Sequence, residues 1–151
     1  MYRRFTAKML YHDTILRKKV VIKMTKTERT IYAILGPTRH NISPLAQAVD
    51  LMTERLFSEN IAMDDILVTK DIYPEVAHRI GRSGAAVSKQ VERLANLCWE
   101  AMCDAGEVEY YIGKRIHDIH APSEMICYLA FFVHFDAPFF KVIRRKSKVL
   151  L

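Results

Sequence analysis

In YPEVAHRIGRSGAAVSKQVERLANLCWEAM, Tyr73 to Met102, two helical patterns meet at a glycine. The first carries Pro74 at its second position, where a missing N–H costs nothing, and places Val76, Ala77 and Ile80 on one face before Gly81 stops it. Ser83 then stands where a hydroxyl caps a new helix, and Val87, Val91, Leu94, Ala95, Cys98 and Met102 recur at spacings of three and four. The other face holds Ala85, Ser88, Lys89, Glu92, Arg93 and Asn96. A buried stripe, a polar face and a tight turn outline a helix-turn-helix whose second helix offers its N-terminal outer face to a DNA major groove. An ordinary helical hairpin with a solvated charged face fits the same pattern, because short turns between helices are common.

These residues also carry a resemblance. Tyr73 to Trp99 resembles, without a gap, the effector-domain core of the stage-zero sporulation regulator A family of endospore-forming bacteria. It has the family's tyrosine-proline-acid-aliphatic-alanine start, its turn, and its valine, aliphatic and tryptophan at Val87, Val91 and Trp99. Val68-Thr69-Lys70 ahead of Tyr73-Pro74, and PSEMICYLA at Pro122 to Ala130, are similar to the family too, so the resemblance runs from about Thr27 to Asp136. It implies an all-helical domain that binds a short promoter sequence as paired copies behind a phosphorylated receiver domain. No receiver is read in this chain. The pattern departs at Ala85, Ala86, Ser88 and Lys89, where the family has serine, arginine, glutamate and arginine. Arginine makes the commonest specific contact to a base edge, so the preferred DNA sequence is expected to differ or to be read weakly.

At 151 residues, half of them hydrophobic and 26% charged, the chain has enough apolar surface for one domain with a real core. Its net charge of +6 is unevenly spread. Residues 1–30 hold 9 basic and 2 acidic groups, residues 31–140 hold 9 and 15, and residues 141–151 hold 5 and none. The body is therefore acidic, and a DNA-binding reading rests on local clustering: Arg79, Arg82, Lys89 and Arg93 stand against the single Glu92 between His78 and Arg93. That patch and the two basic ends are expected to supply phosphate contacts while the acidic remainder faces away.

Three cysteines without paired spacing argue for a reducing compartment, with the cytoplasm expected. The longest apolar run, Met125 to Val133, is too short to span a bilayer, so no membrane partner is expected. His117 and His120 with Cys127, or Cys98 with Cys103, lack the paired-ligand spacing of a structural zinc site. No phosphate loop, nucleophile elbow or metalloprotease helix is present, and neither an enzyme nor a cofactor is expected.

Working outward, residues 1–24 read as a basic extension, either upstream of a natural start at Met24 or a basic arm that grips DNA backbone. Thr25 and Glu28 stand at capping-box spacing before a helix over Lys26–Leu35 that Gly36-Pro37 stops. Ser43 is expected to cap a second helix carrying Leu45, Val49, Met52, Leu56 and Phe57 inward. The helix-turn-helix spans 71–103, a shorter amphipathic segment runs from Val108 to Ile116, and Ser123-Glu124 opens a last helix with Met125, Ile126, Leu129, Phe132 and Val133 as core. The fold expected for 25–140 is all-α, about six helices around the helix-turn-helix with no wing, and 141–151 is a basic tail.

The functional expectation is a transcription regulator that binds double-stranded DNA. Arg82, Ser83 and Arg93 are assigned to phosphates, and Ala86, Lys89 and Gln90 to bases, through a thymine methyl for Ala86 and an adenine for Gln90. His78 and Arg79 steady the DNA backbone. A homodimer on DNA is implied by the resemblance, with Tyr110, Tyr111 and Phe131 as its expected surface. The alternative is an interaction module of the same fold that has lost base reading and pairs with another transcription regulator.

Overall fold

A computed structural model describes residues 24–150, with side chains described to Lys146. The basic extension ahead of Met24 lies outside the described residues. The described chain is all-helical, with helices α1 (Lys26–Leu35), α2 (Ser43–Thr53), α3 (Tyr73–Ile80), α4 (Gly84–Ala105), α5 (Val108–Ile112), α6 (Pro122–Phe135) and α7 (Phe139–Leu150). Short π-helical turns extend α2 through Glu54–Ser58 and lead into α3 through Val68–Ile72.

Local chemistry accounts for most of these limits. The Glu28 N–H donates to Thr25 Oγ1 at 3.1 Å and the Thr25 N–H donates to Glu28 Oε1 at 2.9 Å, so the capping box at the start of α1 is complete. At α2 the expected cap moves two residues back. The Ser43 N–H donates to Asn41 Oδ1 at 3.0 Å, and Ser43 is itself the first helical residue ahead of Pro44. The Asn41 side chain reaches the backbone two residues on, which leaves Ser43 no capping role.

α6 lies at the centre. It packs most extensively against α2 and α4, and α1 crosses the same group. Met125, Ile126, Leu129 and Ala130 of α6 are fully enclosed, facing such residues as Leu45, Val49 and Leu51 of α2 and Leu94, Cys98 and Met102 of α4. Phe132 and Val133, read as core from the sequence, are half-buried, and Phe131 is the buried ring instead. One polar contact enters this interior: the Thr27 hydroxyl of α1 donates to Asp50 Oδ1 of α2 at 2.6 Å. Burial raises the Asp50 carboxyl above its ordinary pKa, against the hydrogen bond from Thr27, which lowers it.

Two expectations are corrected here. Tyr111 and Phe131, expected at a dimer surface, are each only 7% exposed and belong to the core, whereas Tyr110 is 65% exposed. Burial pushes the Tyr111 hydroxyl up to about 12. Both rings meet Phe132 of α6, with centres 5.0 Å away for Tyr111 and 5.6 Å for Tyr110, but successive residues of a helix point in different directions and only Tyr111 is turned into the core. Of the stretch read as a basic tail, 141–151, the described residues 141–150 are the larger part of a seventh helix. Phe139 and Val142 are buried one turn apart, Phe139 meets Tyr128 and Phe131 with ring centres 5.3 and 4.8 Å apart, and this apolar pair anchors the charged turns that follow.

Gly113 makes that docking possible. It ends α5 with φ +107, a left-handed backbone, three residues before the expected limit at Ile116. A Cβ at Gly113 would lie 3.0 Å from the Phe140 nitrogen. Gly113→Ala is therefore expected to lower unfolding free energy by about 2–4 kcal/mol, from backbone strain and the clash together. Gly84→Ala, whose Cβ would meet nothing within 4 Å, is expected to be neutral or stabilising by up to about 1 kcal/mol. Equilibrium urea denaturation measures both, and equal effects at the two sites would contradict this packing. By the same method, Tyr111→Ala is expected to lose about 3–5 kcal/mol as a core truncation. Tyr110→Ala is expected to lose less than about 1.5 kcal/mol, the worth of its aromatic contacts.

Candidate nucleic-acid interface

The turn between α3 and α4 is built from three residues with distinct tasks. Gly81 adopts φ 68 and ψ 38, and the Gly81 and Arg82 N–H groups both donate to the Ala77 carbonyl, which closes α3. A Cβ on Gly81 would meet nothing, so its backbone angle alone requires glycine. Ser83 returns to an extended backbone, and its Oγ accepts the Ala86 N–H at 3.2 Å, which opens α4 as its spacing predicts.

α3 is held by Ile72, Tyr73, Val76 and Ala77, and α4 by Val87, Val91, Leu94 and Ala95, all buried. The outer face of α4 is left to solvent. Ala85, Ala86, Lys89, Arg93 and Asn96 are exposed along it, with Ser88, Gln90 and Glu92 half-buried at its margins. His78 and Arg79 are exposed late in α3, and Arg82 and Ser83 are exposed in the turn. All eight residues assigned to DNA from the sequence thus lie on the α3–turn–α4 unit, and Gln90 is the only one not fully exposed.

The contacts among them were not legible in advance. Arg82 Nη1 donates to Gln90 Oε1 at 2.9 Å, joining a residue assigned to phosphate with one assigned to a base. Gln90 uses its carbonyl in that bond, so a bidentate contact to adenine requires Arg82 to let go. Arg79 Nε lies 3.2 Å from Glu75 Oε2, an i,i+4 pair at the surface. Ser83 spends its oxygen on the cap but keeps its hydroxyl proton for an outside acceptor.

Two residues outside the expected set shape the site. The Tyr73 hydroxyl donates to Glu92 Oε2 at 3.5 Å, which ties α3 to α4 and holds the only carboxylate in the first three turns of α4 toward α3. Burial and the neighbouring Glu92 both raise the Tyr73 hydroxyl above its ordinary pKa, so it remains a donor. Thr69 joins Tyr73, Pro74, Ala77, Gly84 and Ser88 around an open depression of about 390 Å³ beside the start of α4. Its lining carries hydroxyls and no charge, and it includes Gly84, the first residue of α4. Tyr73 and Glu92 are 19 residues apart, a separation at which no sequence periodicity operates.

Among the described residues no three His, Cys, Asp or Glu side chains gather as a metal site. Burial pushes the Cys98 and Cys127 thiols up to about 12, which keeps them as neutral thiols. Cys127 Sγ lies 3.2 Å from Met63 Sδ. Among the described residues no single helix is long and apolar enough to cross a membrane. Compared with protein-family models, with curated proteins and with solved structures, the chain matches none.

Ser83→Ala is expected to cost about 1 kcal/mol, the usual worth of a serine cap, and Ser83→Asp is expected to restore it. Gln90→Ala, which removes an exposed hydrogen bond, is expected to stay within about 0.5 kcal/mol of the parent. Thermal melts of the three variants measure these differences. A Gln90→Ala loss as large as that of Ser83→Ala would make the Arg82–Gln90 bond structural rather than a surface contact.

Proposed function

We propose that this chain is a helical DNA-binding transcription regulator that lays the first turns of α4 in the major groove of duplex DNA. The observation that carries this reading is the outer face of α4. It begins at a capped, glycine-turned N-terminus and presents Ala85, Ala86, Lys89 and Arg93 with no large apolar side chain among them. The one nearby carboxylate, Glu92, is engaged by Tyr73. A solvated hairpin face has no need of three small residues at the start of its longer helix, whereas a helix that must approach bases closely does.

In this reading Lys89 and Ala86 meet base edges, and Arg93, His78 and the Ser83 hydroxyl meet phosphates. Arg82 and Gln90 act as a unit whose bond opens on a suitable base pair. The likeness of Tyr73–Trp99 to the sporulation regulator family supports it. So does the short reach of such a module, which makes few base contacts alone and gains affinity as a homodimer on paired half-sites. The three cysteines are free thiols, which supports a reducing, cytoplasmic setting.

A second reading is favoured by one specific feature. Ala85 and Ala86 make no base-edge hydrogen bonds, and Gln90 is occupied by Arg82, so an interaction module that pairs with another regulator shares this surface.

A binding selection from a randomised duplex pool separates the two. The parent chain is expected to enrich a motif, Lys89→Ala to relax it at one position at a cost of about 1–3 kcal/mol, and Ala86→Glu to abolish binding through like-charge repulsion with an unchanged melting temperature. Weak binding that is equal in all three proteins, with no motif, would sink the α4 reading and leave the interaction module.

A further inference from the structure

Among the described helices α7 has the most strongly divided faces, and no acidic residue occurs in Phe139–Leu150. Its inner side is committed, since Phe139 and Val142 are buried against the body. Lys141, Arg144, Arg145 and Lys146 are exposed. The end of α5 adds to this surface, because Gly113 sits against the Phe140 backbone and Lys114 Nζ lies 4.2 Å from the centre of the Phe140 ring. Phe140 and Arg144 are one turn apart on one side of α7, and Arg145 follows Lys141 at the same interval, so Lys114 and the α7 cations form one surface.

These cations repel one another at i,i+3 and i,i+4 spacing. Among the described residues none of Lys114, Lys141, Arg144 and Arg145 lies within ion-pair distance of a carboxylate; the nearby Arg115 reaches Glu109 only at 3.9 Å. Lys141 stands in the first turn of α7, where the helix dipole disfavours a cation, and Arg144 and Arg145 lie mid-helix, beyond its reach. A surface of this kind is stabilised by a polyanion. An anionic bilayer fits poorly, because an interfacial helix needs a free apolar face and the apolar face of α7 is largely spent on the core, leaving Ile143 at 37% exposure. A phosphate backbone needs no apolar face.

We infer that Lys114, Lys141, Arg144 and Arg145 form a second, sequence-independent site for the phosphates of duplex DNA. It is distinct from the base-reading end of α4. A helix the length of α4 extends about 33 Å, and α7 packs on α6 and on α5, which follows the C-terminal end of α4. The site rests on its own charges and not on the reading of α4.

The test is the salt dependence of binding to a labelled duplex of arbitrary sequence, for the full chain and for the combined variant Lys141→Gln, Arg144→Gln, Arg145→Gln, with helical circular dichroism and thermal midpoint as the check of folding. Three lost phosphate contacts are expected to make the slope of log K against log salt shallower by about 2.7, at 0.9 per contact. Should the combined variant fail to fold, Arg145→Gln alone is expected to lower the slope by about 0.9. Lys89→Ala is expected to leave the change produced by the α7 substitutions in place. An effect of the α7 substitutions in both the parent and the Lys89→Ala background would support this site independently of the α4 reading. An unchanged slope in the folded α7 variants would overturn it. So would a loss confined to vesicles of phosphatidylglycerol, which makes the partner a membrane, or a change in molecular mass in solution, which makes it a second copy of the chain.

Discussion

Everything in this structure depends on the burial of α6 between α2 and α4. Pro122–Phe135 is apolar on nearly every side, and a helix of that kind is stable in water only when neighbours sheathe it. Met125, Ile126 and Leu129 lose essentially all their exposure, each worth about 1.5–3 kcal/mol of burial free energy. Three consequences follow from that sheath: α2 and α4 are held on α6, α1 is laid over the group, and the C-terminal part of α4 is immobilised through Leu94, Cys98 and Met102. The N-terminal turns of α4, packed through Val87 and Val91, continue from that rigid base and leave only their outer face to solvent.

Polar contacts are few and are placed where helices must keep a fixed relation. Thr27 with Asp50 joins α1 to α2, Tyr73 with Glu92 joins α3 to α4, and Lys26 Nζ meets Asp136 Oδ1 at 2.6 Å where α6 ends in a left-handed residue. The Asp50 carboxylate is held at a desolvation cost that its hydrogen bond from Thr27 offsets only in part. Such contacts add orientation more than stability. In the candidate interface the same kind of bond joins the exposed Arg82 of the turn to the half-buried Gln90 of α4.

Charge is divided by element. The segment between the basic ends is net acidic, whereas the exposed side chains of the α3–α4 turn and of α7 are dominated by cations. Total charge describes neither surface. Because screening confines electrostatic effects to about 8–10 Å at physiological salt, what a polyanion meets is each local cluster and not the sum.

Much of the fold was legible in the sequence, because the signals involved are local. The Thr25–Glu28 box, the Gly36 stop, the Gly81 turn, the Ser83 cap and the three-and-four spacing along α4 act within one helical turn, and each stands where its spacing placed it. The exposed face of the candidate site was legible for the same reason: once the buried stripe of α4 is known, its opposite side follows from 3.6 residues per turn. Errors arose where a neighbour distant in sequence decides. Tyr111 and Phe131 are core and Tyr110 stays largely exposed, an outcome of how α5 packs against α4, α6 and α7 together. The tail is a helix because Phe139 and Val142 find a surface on α6, which a reading weighted toward its charges does not reveal. By itself, then, the sequence determined most of the helical segments between Lys26 and Phe135 and the buried and wet sides of α4, through hydrogen bonds and periodicities that span a few residues. The tertiary structure alone decided which wet residues are bonded to one another, which aromatic rings are enclosed and where the basic C-terminal residues are presented. Those outcomes join positions 8 to 23 residues apart or more, and no local propensity encodes them.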